Sequence, residues 1–357
     1  MNETIALDPL ATPHSRAVAA GQARVRAWKL ALLALALTAA PLAIFSGHQF
    51  WINILIYTYL FAGLAVSWNI IAGFGGQFSL GHGVFFAAGA YTASILYVRY
   101  GLSPWLGILP GMVVCGVIGP LIFWPTFRLR GSFFAIATLA FNEVGMAFAN
   151  YFAITGGPRG VQVPFKAGFS NMIFANPLHY ALLMFGYMAL CLLVASMVRH
   201  GRLGYYLLAV RDDQDCARAS GIDVARVKLL GMAISAALTA AGGTLFAMYV
   251  RTIDPPTLFS LADVGFKFAL LSLIGGIGTV MGPVLGAFLI IPLENWLRTL
   301  LSGAIPGAHL LVLGVLMLLA ALFMRKGLGH AVAGLWRRRQ SRPGADQRGQ
   351  DQRGRGK

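Results

Sequence analysis

From Leu30 to Val98 the chain runs for 69 residues without an Asp, Glu, Lys or Arg. A water-soluble domain cannot leave so long an apolar run unsolvated. Further apolar stretches reach the roughly 17–25 residues that cross a bilayer as helix. The pattern predicts spans over residues 30–46, 51–72, 83–98, 104–125, 132–154, 178–198, 229–250, 268–292 and 309–324. Pro110 and Pro120 are expected to break the 104–125 span. In lipid the main chain must satisfy its own hydrogen bonds, so helices are the default. The short alternating segments of an outer-membrane barrel are absent. The fold class is an all-α, polytopic membrane helical bundle.

Two glycine-rich islands interrupt this pattern. The first is Gly73-Phe-Gly-Gly-Gln-Phe-Ser-Leu-Gly-His-Gly83, and the second is Gly275-Gly-Ile-Gly-Thr-Val-Met-Gly-Pro283. In the first, Gly75, Gly76 and Gly81 permit backbone angles that stop a helix. Gly275, Gly276, Gly278 and Gly282 do the same in the second. The freed main-chain groups need partners, which Gln77, Ser79 and His82 can supply. Irregular backbone at membrane depth is tolerated only under protein or beside a water-filled cavity. The three side chains therefore either line a translocation path or brace the broken backbone; an ordinary cytoplasmic turn is the other reading. A P-loop is rejected, because His82 and Gly83 stand where its Lys and Ser/Thr are required. Gly81-His-Gly before Gly89-Ala-Tyr91 is echoed by Gly282-Pro before Gly286-Ala-Phe288. Paired interruptions of this kind occur in internally repeated transporters with a central site.

Charge then sets the topology. The formal net charge of +16 gathers at the two ends and in the loops. Residues 1–29 are expected to form a basic cytoplasmic segment and 326–357 a basic, disordered cytoplasmic tail, flanking a transmembrane domain at 30–325. With both ends inside, the crossings must be even. Counting 268–292 as two broken segments gives about ten; eight crossings with re-entrant pieces also satisfy parity. The basic loop 199–228 then lies inside, and the cation-poor loops 155–177 and 251–267 lie outside. Nucleic acid is not an expected partner. The 43 glycines among 357 residues exceed the usual share of about 7%. Gly231, Ala236, Gly242 and Gly243 are expected to let helices approach closely.

Little chemistry is offered. Asn142, Glu143 and Asn150 place polar groups in the 132–154 span, where an ionisable side chain costs roughly 2.5–3.5 kcal/mol and turns to a cavity or a partner. Glu294 is read as interfacial. The three cysteines and scattered histidines lack metal-ligand spacing, and no catalytic arrangement can be drawn. In the 199–228 loop, Tyr205 to Ala219 can form an amphipathic helix ended by a left-handed cap at Gly221. Such a helix suits docking to a partner groove.

Three segments together resemble the permease family of branched-chain amino-acid ABC importers, in particular its M-type subunit. They are Gly75-Gly-Gln-Phe-Ser-Leu-Gly-His-Gly with Phe85-Phe-Ala-Ala-Gly-Ala-Tyr91; Arg128-Leu-Arg-Gly-Ser-Phe-Phe-Ala-Ile-Ala-Thr-Leu-Ala-Phe-Asn-Glu143; and Gly204–Ile222 with Gly275–Ala287. The resemblance implies an inner-membrane, multi-pass subunit of a bacterial importer. It implies a homologous second permease, two ATP-binding subunits, a periplasmic solute-binding protein and the lipid bilayer as partners. ATP and magnesium would be bound by those partners, with no cofactor on this chain. Within the family's cytoplasmic coupling loop, Gly204, Arg211, Asp212, Ala217 and Gly221 are the expected contacts with the ATPase, although the Glu of the related EAA-type motif is missing. Relatives that import urea, short amides or aromatic acids are the alternative. An ion-coupled secondary transporter is the alternative of another class, and would want more intramembrane carboxylates than Glu143.

Overall fold

The structure, a computed structural model, describes residues 38–301 except 46 and 130, together with 311, 314 and 315. The expected terminal segments, the start of the 30–46 span and nearly all of the 309–324 span lie outside the described residues. The chain divides into two compact units, Met1–Ile52 and Asn53–Lys357. In the first, Phe45 stacks on Trp51 with ring centroids 5.1 Å apart.

The protein is built of helices. Among the described residues they include α1 (Gln49–Asn69), α2 (His82–Tyr100), α3 (Pro104–Phe123), α4 (Ser132–Tyr151), α5 (Pro177–His200), α6 (Arg202–Asp212), α7 (Gln214–Ala219), α8 (Val224–Val250), α9 (Pro255–Leu258), α10 (Phe266–Gly275) and α11 (Gly282–Leu301). Among the described residues, six stretches are long and apolar enough to cross a membrane: 49–74, 104–128, 132–151, 177–200, 224–250 and 255–275. α2 and α11, of 19 and 20 residues, are comparable in length.

α1 is the central rod. The side chains of Tyr59, Leu60, Leu64 and Trp68 are fully buried, so it has no polar face. α8 packs on α2 and α3, and α10 packs on α11. The α2–α8 crossing depends on glycine. A Cβ at Gly89 would clash with the carbonyl of Ala240, and one at Gly243 with that of Phe86. With both absent, Thr244 Oγ1 reaches the Gly89 carbonyl at 3.0 Å. This is the close approach expected of small residues in membrane helices.

α3 corrects an expectation: it runs unbroken through Pro110 and Pro120. A proline forfeits one main-chain bond, but the helix keeps its others on either side of it. The second island behaves as expected and separates α10 from α11 at Gly276, with φ of 123°. Two loops on one side are joined by a two-stranded antiparallel sheet, β1 (Val161–Gln162) with β2 (Thr252–Ile253), in the register Val161↔Ile253. At the other end, Lys228 Nζ donates to the Phe127 carbonyl at 3.1 Å. The loops read as outer thus share one end, and those read as inner share the other.

Candidate functional site

α1 does not stop at Asn69 but loosens into a π-helical turn, Ile70–Phe74. The chain then unwinds, with Gly76 in the left-handed region at φ 67°. The freed main chain is satisfied from within the protein. Trp68 Nε1 donates to the Ser79 carbonyl at 2.7 Å, and the Leu80 amide to Thr138 Oγ1 at 3.0 Å. Buried polar main chain has to be paired in this way.

His82, at the start of α2, is fully buried. Its Nδ1 lies 3.0 Å from Ser79 Oγ and its Nε2 lies 2.8 Å from Ser235 Oγ. Ser235 Oγ donates to the Ser67 carbonyl at 2.7 Å. That hydroxyl must therefore accept from His82, which assigns the proton to Nε2 and leaves Nδ1 to accept from Ser79. The ring is neutral and both nitrogens are engaged. Gln77 is buried too, and its Oε1 has no hydrogen-bond partner.

Neighbouring residues on α4 meet different surroundings. Asn142 is buried and donates to the Phe259 carbonyl at 2.8 Å, while its Oδ1 is unpartnered and would clash with any Cβ at Gly83. Glu143 is exposed on the side of α4 that also exposes Ile136 and Val144. Asn150 donates to the Met146 carbonyl of its own helix at 3.0 Å.

Asn69 joins the two islands. Its Nδ2 donates to the Thr279 carbonyl at 2.8 Å, and its Oδ1 accepts from the Gly278 amide at 2.9 Å. Thr279 Oγ1 closes the second island by donating to the Gly276 carbonyl at 2.8 Å and accepting from the Gly282 amide at 3.0 Å. A third chain segment enters here. Arg211, near the end of α6, donates through Nη1 to the Gly73 carbonyl. A Cβ at Gly278 would clash with that guanidinium, and one at Gly76 would crowd the Arg211 Cγ at 2.9 Å. Two helix breaks and one loop helix therefore meet at a single point.

The amphipathic stretch from Tyr205 is not one helix but two, α6 and α7. Asp213 divides them, because its Oδ1 accepts from the amides of Asp215 at 2.8 Å and Cys216 at 3.0 Å and so starts a new helix. Gly221 adopts φ 83° as a left-handed cap, with its amide on the Arg218 carbonyl at 3.0 Å. Gly204 is buried against the carbonyls of Val198 and Arg199, Ala217 is buried, and Asp212 is exposed. Cys216 is exposed, and the Asp213 carboxylate beside it raises its thiol pKa. Lys228 also reaches Gln214 Oε1 at 3.1 Å, tying α7 to α8.

Sequence reading missed Asn69, Thr279, Ser235 and Lys228. Asn69 carried a signal, a carboxamide in an apolar span just ahead of a break. Ser235 carried none, since its role depends on a partner 153 residues away. Glu294, read as interfacial, is buried and paired with Lys267 at 3.0 Å.

A family described as the permease component of branched-chain amino acid transport systems matches residues 50–321. The high-affinity branched-chain amino acid transport system permease protein LivM of Salmonella typhimurium is 32% identical, over 84% of this chain and 74% of its own length. LivM of Escherichia coli is also 32% identical, over 78% and 69%. LivH, a permease protein of the same-named system in Escherichia coli, is 25% identical over 64% of this chain and 79% of its own length. No solved structure matches.

Proposed function

Because the chain belongs to the permease-component family of branched-chain amino acid transport systems, we propose that it forms the translocation path of an ATP-driven importer of branched-chain, hydrophobic amino acids. It is a transport subunit and not an enzyme, as its relatives are permeases. ATP and magnesium belong to two partner ATPases, and a periplasmic binding protein delivers the solute. The second permease is a homologue of this chain; the similarity to both LivM and LivH supports that pairing.

The observation that carries the reading is the junction of Arg211 with the two helix breaks. An importer must connect a cytoplasmic docking segment to movable pieces of the membrane bundle. Here α6 and α7 supply the segment, and loosened backbone at Gly73–Gly83 and 276–281 supplies the pieces. α1 to α5, α8, α10 and α11, with the spans read at 30–46 and 309–324, make ten crossings with both ends in the cytoplasm. α4 supplies the second-permease contact: few of its side chains are buried, and Glu143 on its open side needs a polar cover.

The test is uptake in proteoliposomes holding this chain, a homologous permease, both ATPases and the binding protein. ATP-dependent leucine accumulation without an ion gradient is expected. Accumulation of urea, a short amide or an aromatic acid in place of leucine would replace the solute. Uptake driven by a proton or sodium gradient without ATP would sink the ABC reading.

A further inference from the structure

Lys267, Glu294 and Arg298 lie outside the helix-break junction. Lys267 starts α10 and Glu294 lies in the second half of α11, so each stands roughly 12–18 Å along its helix from the break. They face a cavity of about 470 Å³ between α1, α2, α8, α10 and α11. Small-molecule sites have volumes of roughly 300–1,000 Å³.

One wall of this cavity is apolar, formed by Phe61, Phe86, Phe246 and Ile291. Lys267, Glu294 and Arg298 line the same cavity, and Asp263 adds a second carboxylate that accepts from Ser260 Oγ at 3.0 Å. Lys267 Nζ is 3.0 Å from Glu294 Oε1 and sits 5.0 Å from the centroid of the Phe61 ring. Arg298 Nη2 is 3.7 Å from the same Oε1, too far for a hydrogen bond. Glu294 Oε2 has no hydrogen-bond partner, although the side chain is only 6% exposed. A pair that served only to staple α10 to α11 would not leave a buried carboxylate oxygen empty, since an unsatisfied buried acceptor is costly.

We infer that this cavity is a binding site within the permease for a zwitterionic α-amino acid with an apolar side chain. The ligand ammonium bonds to Glu294 Oε2, its carboxylate lies between Lys267 and Arg298, and its side chain rests on the aromatic wall. A neutral sugar or amide can donate to Glu294 Oε2 but brings no carboxylate to Lys267 and Arg298. A monocarboxylate would leave Glu294 Oε2 empty. The inference rests on the proposed amino-acid import and adds a site that holds the solute after the binding protein releases it.

The test is saturation binding of tritiated leucine to the purified full-length chain in lipid nanodiscs, beside leucine uptake by the complete importer. Valine and isoleucine should compete; isocaproate, lacking the ammonium, and isoamylamine, lacking the carboxylate, should not. Glu294→Gln should weaken binding by about 10- to 100-fold, the effect of losing one charge-assisted hydrogen bond. The double variant K267E/E294K keeps an ion pair but reverses the polarity presented to the ligand, so it should fold and still fail to bind. Ile291→Trp fills the cavity, leaves the charges in place and should abolish binding. Unchanged binding in these variants, recovery in the charge swap, or uptake by the importer with no binding to this chain would each overturn the site while leaving the transport reading intact. Uptake of a different solute by the importer would overturn both.

Discussion

The guanidinium of Arg211 donates to the main-chain carbonyl of Gly73, 138 residues earlier in the chain. Arg211 belongs to a loop helix, and Gly73 to the π-helical turn where the central rod comes apart. A carbonyl freed from regular helix needs a donor, and a buried unpaired one is costly. The bond therefore holds the first break closed for as long as α6 stays in place. Displacement of α6 would release it.

Arg211→Ala should separate ATP hydrolysis from uptake. Loss of a hydrogen bond from a charged donor is worth about 1.5–3 kcal/mol, or about a 10- to 100-fold change. Uptake in proteoliposomes is expected to fall by that factor while ATP hydrolysis persists, and Arg211→Lys should restore part of it. Normal coupling in Arg211→Ala would show that the bond transmits nothing.

Asn69→Ala leaves the Gly278 amide and the Thr279 carbonyl without their shared partner. Each group costs about 1–3 kcal/mol when left unpaired. The melting temperature of the detergent-purified protein should drop clearly, with more than the loss seen in Asn69→Asp, which keeps the acceptor for Gly278. Equal melting of the two variants would contradict the clamp.

Ser235→Ala removes the acceptor for His82 Nε2–H. If the histidine braces the break, stability should fall by about 1–3 kcal/mol with the KM for leucine unchanged. A raised KM in a protein of unaltered stability would instead place His82 on the solute path.

Glu143→Trp should block assembly with the second permease, because a large ring replaces the one ionisable group on the exposed side of α4 between Ile136 and Val144. Glu143→Gln should assemble and transport more slowly. Co-purification of the two permeases reads the first outcome and uptake the second. Normal assembly of the Trp variant would free this face for lipid.

Cys216 offers a pH-dependent readout of the loop. The negative charge of Asp213 disfavours the thiolate, so the thiol deprotonates only above the ordinary value of about 8.5. Cys115 and Cys191 are buried, so maleimide should label Cys216. Its labelling rate should rise with pH along a curve displaced to the alkaline side. Asp213→Asn retains a good helix cap and should shift the curve back toward neutral pH. An unshifted curve would mean that Asp213 does not face the thiol.

By itself the sequence determined what depends on neighbours along the chain. Sustained apolar runs require helices in lipid, and clustered glycines mark where those helices stop. Gly221 was legible as a cap because capping is local. The Tyr205–Ala219 stretch was legible as amphipathic, but Asp213 divided it, since a side-chain cap competes with helix continuation over two or three residues. Pro110 and Pro120 misled for the converse reason: α3 packs on α2 and α8 and continues through both prolines. Only the tertiary structure decided that the two glycine islands meet at Asn69, that Arg211 seats on both, and that Lys267 and Glu294 share a cavity. Those relationships join residues 27 to more than 200 positions apart, and spacing along the chain carries no record of which distant carbonyl a side chain will satisfy.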